Sequence, residues 1–209
     1  MRYLESSVSI AYAATAVITT AEAKAHLRVT NTAEDSLIDA YVLAAQRFLE
    51  ERYQLVLIDA PVTEIFTRTP GGYSATSQLF LYPFDGVTAE NSFFSLSVGN
   101  ATTLTSVTAN TVDDFTTFTA MTSTKTLDPG FNRPRVYGPN GWEFGSISPF
   151  QIKVIYRAGW ANAAAVPDII KVVVRLMVAD MYENRIDSPR EMTNVTEVLM
   201  RPYATMSGI

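Results

Sequence analysis

The chain has 209 residues, 47% of them hydrophobic, which suits one domain with a true core or one domain carrying an insertion. Its formal net charge of −5 argues against a broad, nonspecific grip on nucleic acid, which needs a basic surface. Cysteine is absent and His26 is the single histidine, which excludes disulfides, thiolate and His-rich metal sites, and most histidine-based catalysis.

Residues 1–17 read as an arm with some strand propensity. Arg2 ahead of the mildly apolar Val8–Ile18 faintly matches a secretory leader, but Glu5 and several Ser and Thr residues dilute it. A short helix is expected next, capped by Thr19 with Glu22 completing a capping box and ending near Leu27. Asn31 or Thr32 is expected to cap a second, longer helix with Glu34 and Asp35 in its first turn. Leu37, Tyr41, Ala44 and Phe48 recur at helical spacing there, as do Ile38, Val42, Ala45 and Leu49, and the helix ends near Tyr53.

From Leu55 to Ala158 helical periodicity is lost. Val62–Thr67, Gln78–Tyr82, Phe93–Val98, Thr103–Val107, Phe115–Phe118 and Gln151–Tyr156 read as strands. Pro70-Gly71-Gly72, Asp85-Gly86, Gly99-Asn100, Asp128-Pro129-Gly130 and Pro139-Asn140-Gly141 read as turns. Several short strands with turns between them suggest an antiparallel sheet, barrel or sandwich.

Helical pattern returns over Val166–Arg185, a rod of roughly 28 Å. Pro167 suits its first turn. At about 100° per residue, Lys171, Arg175, Tyr182 and Arg185 form a narrow polar stripe interrupted by Val178. Ile169, Ile170, Val172, Val173, Val174, Leu176, Met177 and Met181 cover most of the remainder, which is more apolar than a monomer's surface helix needs. The helix is therefore expected to be covered on more than one side, by its own chain or by a second subunit. Asp180 falls opposite the stripe, among apolar residues, and is expected to meet a partner such as His26 or Arg47, or a group from a neighbour. The helix is too charged for a membrane span. Ile186–Pro189 reads as a loop, Met192–Tyr203 as a shorter helix disturbed by Pro202, and Ala204–Ile209 as a tail.

The expected fold class is α+β: a split α-helical bundle of two N-terminal helices plus a long C-terminal helix, with an inserted antiparallel β domain. The expected boundaries are 1–17 for the arm, 18–54 and 159–209 for the helical domain, and 55–158 for the β-rich insertion. Cut as 1–18, 19–60, 61–150 and 151–209, the chain carries net charges of 0, −3, −3 and +1, so its C-terminal part alone is net positive.

Motifs for chemistry are absent: no Gly-rich phosphate loop, no G-x-S-x-G and no H-E-x-x-H. Asp113-Asp114 would point to opposite faces of a strand. An enzyme, a metal site and a cofactor are not expected. The first two helices could pass for a DNA-reading pair, but Glu34, Asp35 and Asp39 would meet phosphates with the wrong sign. Trp142 is a candidate loop contact. With Tyr73, Tyr137 and Phe144 it keeps open a β-rich receptor- or carbohydrate-binding module.

Two segments taken together carry a resemblance. One is Ile18-Thr-Thr-Ala-Glu-Ala-Lys-Ala-His-Leu-Arg-Val29, followed by Ala33-Glu-Asp-Ser-Leu-Ile38 and the Ala44-Ala45 helix. The other is Tyr156-Arg-Ala-Gly-Trp160, running on through Pro167-Asp-Ile-Ile-Lys171 to Ala179-Asp-Met-Tyr-Glu-Asn-Arg185. In these the chain resembles the head–tail connector (adaptor or neck) proteins of long-tailed double-stranded DNA bacteriophages and gene transfer agents. The resemblance implies a structural virion protein, assembled in the host cytoplasm, that forms a homo-oligomeric ring, usually dodecameric, beneath the portal. It implies the portal protein and a downstream neck or tail protein as partners. DNA would pass through the ring's channel without sequence-specific binding, and no membrane is involved. Val198, Leu199, Met200, Arg201 and Tyr203 become portal-contact candidates. Lys171, Arg175, Asp180, Tyr182 and Arg185 become candidates for a subunit interface or the channel. The β region lies outside these motifs.

Overall fold

The computed structural model describes residues 4–68, 93–111, 116–120, 125–129, 133–137, 149–185 and 194–204. The fold is mixed α+β and divides into two compact units. One takes in Met1–Ala11 and Ala60–Ala158, the other Tyr12–Asp59 and Gly159–Ile209.

In the second unit, α1 (Thr20–Leu27) starts as its sequence dictates. The Thr19 hydroxyl accepts from the Glu22 amide and the Glu22 carboxylate accepts from the Thr19 amide, closing the capping box. Arg28 ends it in the left-handed region. The start of α2 (Asp35–Tyr53) differs from expectation. Asn31 closes a turn onto the Ala33 amide, and Glu34 precedes the helix without any side-chain cap. The two carboxylates near the helix start take over that role electrostatically. Gln54 then turns left-handed, Leu55, Leu57 and Ile58 join the helical core, and the run to Asp59 belongs to the helical unit and not to the β region.

α3 spans Asp168–Glu183, with Pro167 just outside it at ψ 136°. α4 spans Asn194–Met200 and tightens into a 3₁₀ turn over Arg201–Tyr203, where Pro202 cannot continue the α-helical ladder. Ile38, Val42, Ala45 and Leu49 of α2 meet Ile170, Val173, Val174 and Val178 of α3 in one core, which Leu55, Leu57 and Met200 complete.

Polar groups pin this core from inside. Glu50 is buried, accepts the Leu57 amide at 2.8 Å and pairs with Arg47. Arg47 also reaches the Ala13 carbonyl at 2.6 Å and lies 4.2 Å over the Tyr12 ring. Gln46 accepts the Val17 amide at 3.0 Å. Where the chain leaves and re-enters the unit, the Asp59 amide donates to the Trp160 carbonyl at 2.8 Å. Gly159 has φ +110°, and a Cβ there would lie 2.8 Å from the Ile58 and Asp59 backbone, so the position excludes a side chain twice over.

The β unit holds a five-stranded antiparallel sheet in the order β1 (Leu4–Ile10), β2 (Ala60–Arg68), β8 (Pro149–Ala158), β4 (Ala101–Thr111), β5 (Thr119–Ala120). A second sheet places β7 (Arg135–Tyr137) between β3 (Phe93–Ser95) and β6 (Thr126–Asp128). Alternation decides the buried face: Val62, Glu64 and Phe66 on β2 oppose Tyr156, Val154 and Ile152 on β8. Three register shifts on β4 against β8 mark bulges, and next to one of them the Asn110 and Gln151 amides bond each other.

Residues 4–10 are a paired edge strand and not a separate arm. Ser6–Ser9 are exposed, so the strand carries little of the apolar alternation that announces a half-buried one. Of the strand expected at Phe115–Phe118, Phe115 lies outside the described residues and 116–118 are not strand; the described strand there is Thr119–Ala120. The one expected at Gln78–Tyr82, and Trp142 with its loop, lie outside the described residues.

Candidate functional site

Among the described residues no three His, Cys, Asp or Glu side chains form a group that could hold a metal, and no helix is long and apolar enough to cross a membrane. Most of the candidate residues lie on or beside α3.

Ile170, Val173, Val174 and Val178 are the buried face of α3. Val178, which interrupts the polar stripe in sequence, sits in the core, and the stripe rides along the edge of that packing. Its cations turn to acids of the same chain. Arg175 pairs with Glu22 at 3.2 Å, Lys171 with Asp168 at 3.5 Å and Arg185 with Glu34 at 2.7 Å. The Tyr182 hydroxyl donates to the other oxygen of Glu34, and the Arg185 guanidinium lies 4.3 Å over the Tyr182 ring. Lys171 also donates to the Ala164 carbonyl. The stripe thus ties α3 to the capped end of α1 and to the start of α2.

The electrostatics follow the geometry. Hydrogen bonds from Arg185 and Tyr182 hold the Glu34 carboxyl below its ordinary value. The same contacts raise the Tyr182 hydroxyl and the Arg185 guanidinium. The Thr19 bonds, then Arg175, hold Glu22 low. Glu22 and Glu34 are the partners that sequence reasoning places at helix starts without linking them to α3. Their acidic first-turn positions are the only signal.

Asp180 is exposed and accepts from the Asn184 amide at 2.9 Å. This corrects the sequence-based face assignment. Burial of Val178 rotates α3 so that Asp180 lies toward water with Asp168 and Glu183, and Ile169 and Val172 are exposed beside it.

The C-terminal candidates divide. Val198 is exposed, as is Val195 one turn earlier, and Arg201 is exposed too. Met200 lies fully inside the core. Leu199 is half-buried, and Tyr203 packs edge-on against Trp160 with ring centroids 6.4 Å apart. α4 therefore anchors through Thr196 and Met200 and presents an apolar strip outward. In the β unit Tyr137 is half-buried in β7, while Tyr73, Trp142 and Phe144 lie outside the described residues.

No protein-family model and no curated protein matches the chain. Solved structures do. A chain in the neck of an empty gene transfer agent particle, computed with C6 symmetry, is similar with a TM-score of 0.69 and 19% identity, over 97% of both chains. A chain in the virion of a native gene transfer agent particle gives 0.66 and 20%, also over 97% of each. A chain in the neck of a native particle, computed with C12 symmetry, gives 0.61 and 21%, over 96% of this chain and 97% of that one. The shared property at these identities is the fold, and it spans both units.

Proposed function

We propose that this chain is a structural neck protein that forms an adaptor ring between the portal vertex of a capsid and the tail. The observation that carries the proposal is the fold match over nearly the whole chain, β unit included, to chains in the necks of gene transfer agent particles. The C6 and C12 symmetries of those necks support a ring of twelve copies. In this reading the helical unit is the split bundle that builds the ring, and the β unit is an insertion in it. The exposed Val195 and Val198 with Arg201 supply the contact to the portal, and a downstream neck or tail protein docks on the other side of the ring. An acidic protein lining a channel lets DNA slide, because like charge prevents adhesion. The chain would act in the virion, after assembly in the host cytoplasm, without catalysis.

The test is to delete its gene in a producing strain and to image the particles. Filled heads lacking tails, restored by the intact gene, are expected. Normally tailed, infectious particles without the chain would overturn the proposal. The alternative of a receptor- or carbohydrate-binding module rests on Trp142, and no described feature favours it.

A further inference from the structure

α2 carries two apolar faces. Ile38, Val42, Ala45 and Leu49 face the core, while Ala40, Leu43, Ala44 and Phe48 lie about half a turn round the helix and face water. Leu43 is 37% and Phe48 42% exposed. α3 repeats the pattern: Ile169 (43%) and Val172 (41%) are exposed, with half-buried Leu176 continuing the line, on the side away from its buried valines. The inner faces of both helices share one core, so the outer faces lie on separate sides of the helical unit.

The two outer faces differ in relief and charge. On α2, Ala40 and Ala44 stand one turn apart and leave a trough between Leu43 and Phe48. On α3, Ile169 and Val172 stand up as a ridge. The ridge is edged by Asp168, Asp180 and Glu183. The cations of α3 are drawn to acids of the chain itself. Around the trough stand Asp39, Glu51 and Arg52, whereas Arg47, on the same line as Ala40 and Ala44, is drawn to the buried Glu50 and the Ala13 carbonyl. Ridge against ridge would set Asp180 and Glu183, with the Lys171-paired Asp168, against the same set. Ridge into trough lessens that repulsion, because Arg52 is then among the facing groups, and small residues let the helices approach to about 8–10 Å.

We propose that the α3 ridge of one copy of this chain packs into the α2 trough of the next copy, as the repeating contact of the ring. The inference rests on the neck reading above and names the surfaces that reading leaves open. Two different patches on separate sides of one unit make a head-to-tail contact, which gives a ring where its rotation closes and never a twofold dimer. Each copy then covers both of its own exposed stripes.

The cysteine-free chain gives a clean test. The full chain carrying Ala44→Cys and Val172→Cys is assembled into particles in its producing strain. The particles are treated with oxidant or a short bis-maleimide and run on a non-reducing gel. A ladder of dimers, trimers and higher species is expected from the double variant, with monomer alone from either single variant. A dimer from one single variant would show self-pairing and overturn the contact. Monomer alone from the double variant, in particles that contain the chain, would overturn the contact and leave the neck reading intact. Wild-type particles lacking the chain would overturn the neck reading itself.

Discussion

Glu64 puts a carboxyl where water does not reach. Its partners are the Ser97 amide at 3.1 Å, the Ser97 hydroxyl at 2.5 Å and the Tyr156 hydroxyl at 3.1 Å. Burial pushes its pKa up, and the bonds from Ser97 and Tyr156, with the charge of Arg133, only partly oppose this. Burial and the Glu64 charge also raise the Tyr156 hydroxyl. A carboxyl raised on folding favours the folded state below its unfolded pKa, and that contribution is lost as pH rises through the folded value. Glu64→Gln keeps the acceptor oxygen and removes the titration. The variant should therefore exceed wild type in thermal midpoint at pH 8, and the gap should narrow as pH falls through the carboxylate range. A gap that stays constant from pH 8 to pH 4 would refute this. The sequence places Glu64 on the same face as Val62 and Phe66 by simple alternation. It does not announce that the face is fully covered, because Ser97 and Tyr156 come from 33 and 92 residues away. Gly159 is the second telling residue. Gly159→Ala meets both a positive φ and a backbone clash, and should cost roughly 2–4 kcal/mol in chemical denaturation. A loss under about 0.5 kcal/mol would mean that the junction relaxes freely.

At the scale of elements, local signals are legible where they act within a few residues. The Thr19–Glu22 box sets the start of α1, and Thr19→Ala should cost about 1 kcal/mol of stability in urea unfolding, or prove the box redundant by costing nothing. The faces of α3 are not legible in the same way. Lys171, Arg175, Tyr182 and Arg185 read as one polar stripe, but such a stripe does not say whether it seeks water, a neighbour or Glu22 and Glu34. Those acids lie 153 and 148 residues away from Arg175 and Tyr182 in sequence, and only the fold brings them near. Once the stripe is taken up internally, Ile169 and Val172 are left outward, and the apolar excess of the helix moves to a different side from the one expected. Glu50 shows the same limit on α2. It lies on the border of a helical face, and its role emerges only when Leu57 folds back onto it. Glu50→Ala should destabilise the unit by roughly 3 kcal/mol, because Arg47 loses its counter-charge and the Leu57 amide its acceptor. An effect within about 0.5 kcal/mol, read from helical circular dichroism during urea unfolding, would show the pair to be dispensable.

At the scale of the whole molecule, the two units are separable in principle because each is compact by itself and the helical unit has a core of its own. The helical core draws on Val17 to Ile58 and Val166 to Met200, and among the described residues none of its buried members comes from 60–158. The strands that leave and return are already tied at the exit: Asp59 bonds Trp160, Ile58 bridges Trp160, and Ala60 is paired with Ala158 one step further on. The ends that excision creates are thus held close by the helical unit's own bonds, and a short turn suffices to join them. Loop-closure entropy then falls, since a connection of about 100 residues is replaced by a few, at a gain of roughly 2–3 kcal/mol on the logarithmic scale. A chain of residues 12–59 joined through a Gly-Asn-Gly linker to 159–209 should fold cooperatively, with helical circular dichroism and a single thermal transition. The converse chain, residues 60–158 preceded by residues 1–11 on a linker, retains the central pairing of β2, β8 and β4 and should fold as a sheet. Residues 1–11 matter there because β1 covers the open edge of β2, and without it that edge is free to pair with another chain. If the helical piece alone proved unfolded while the full chain is stable, its core would be insufficient by itself.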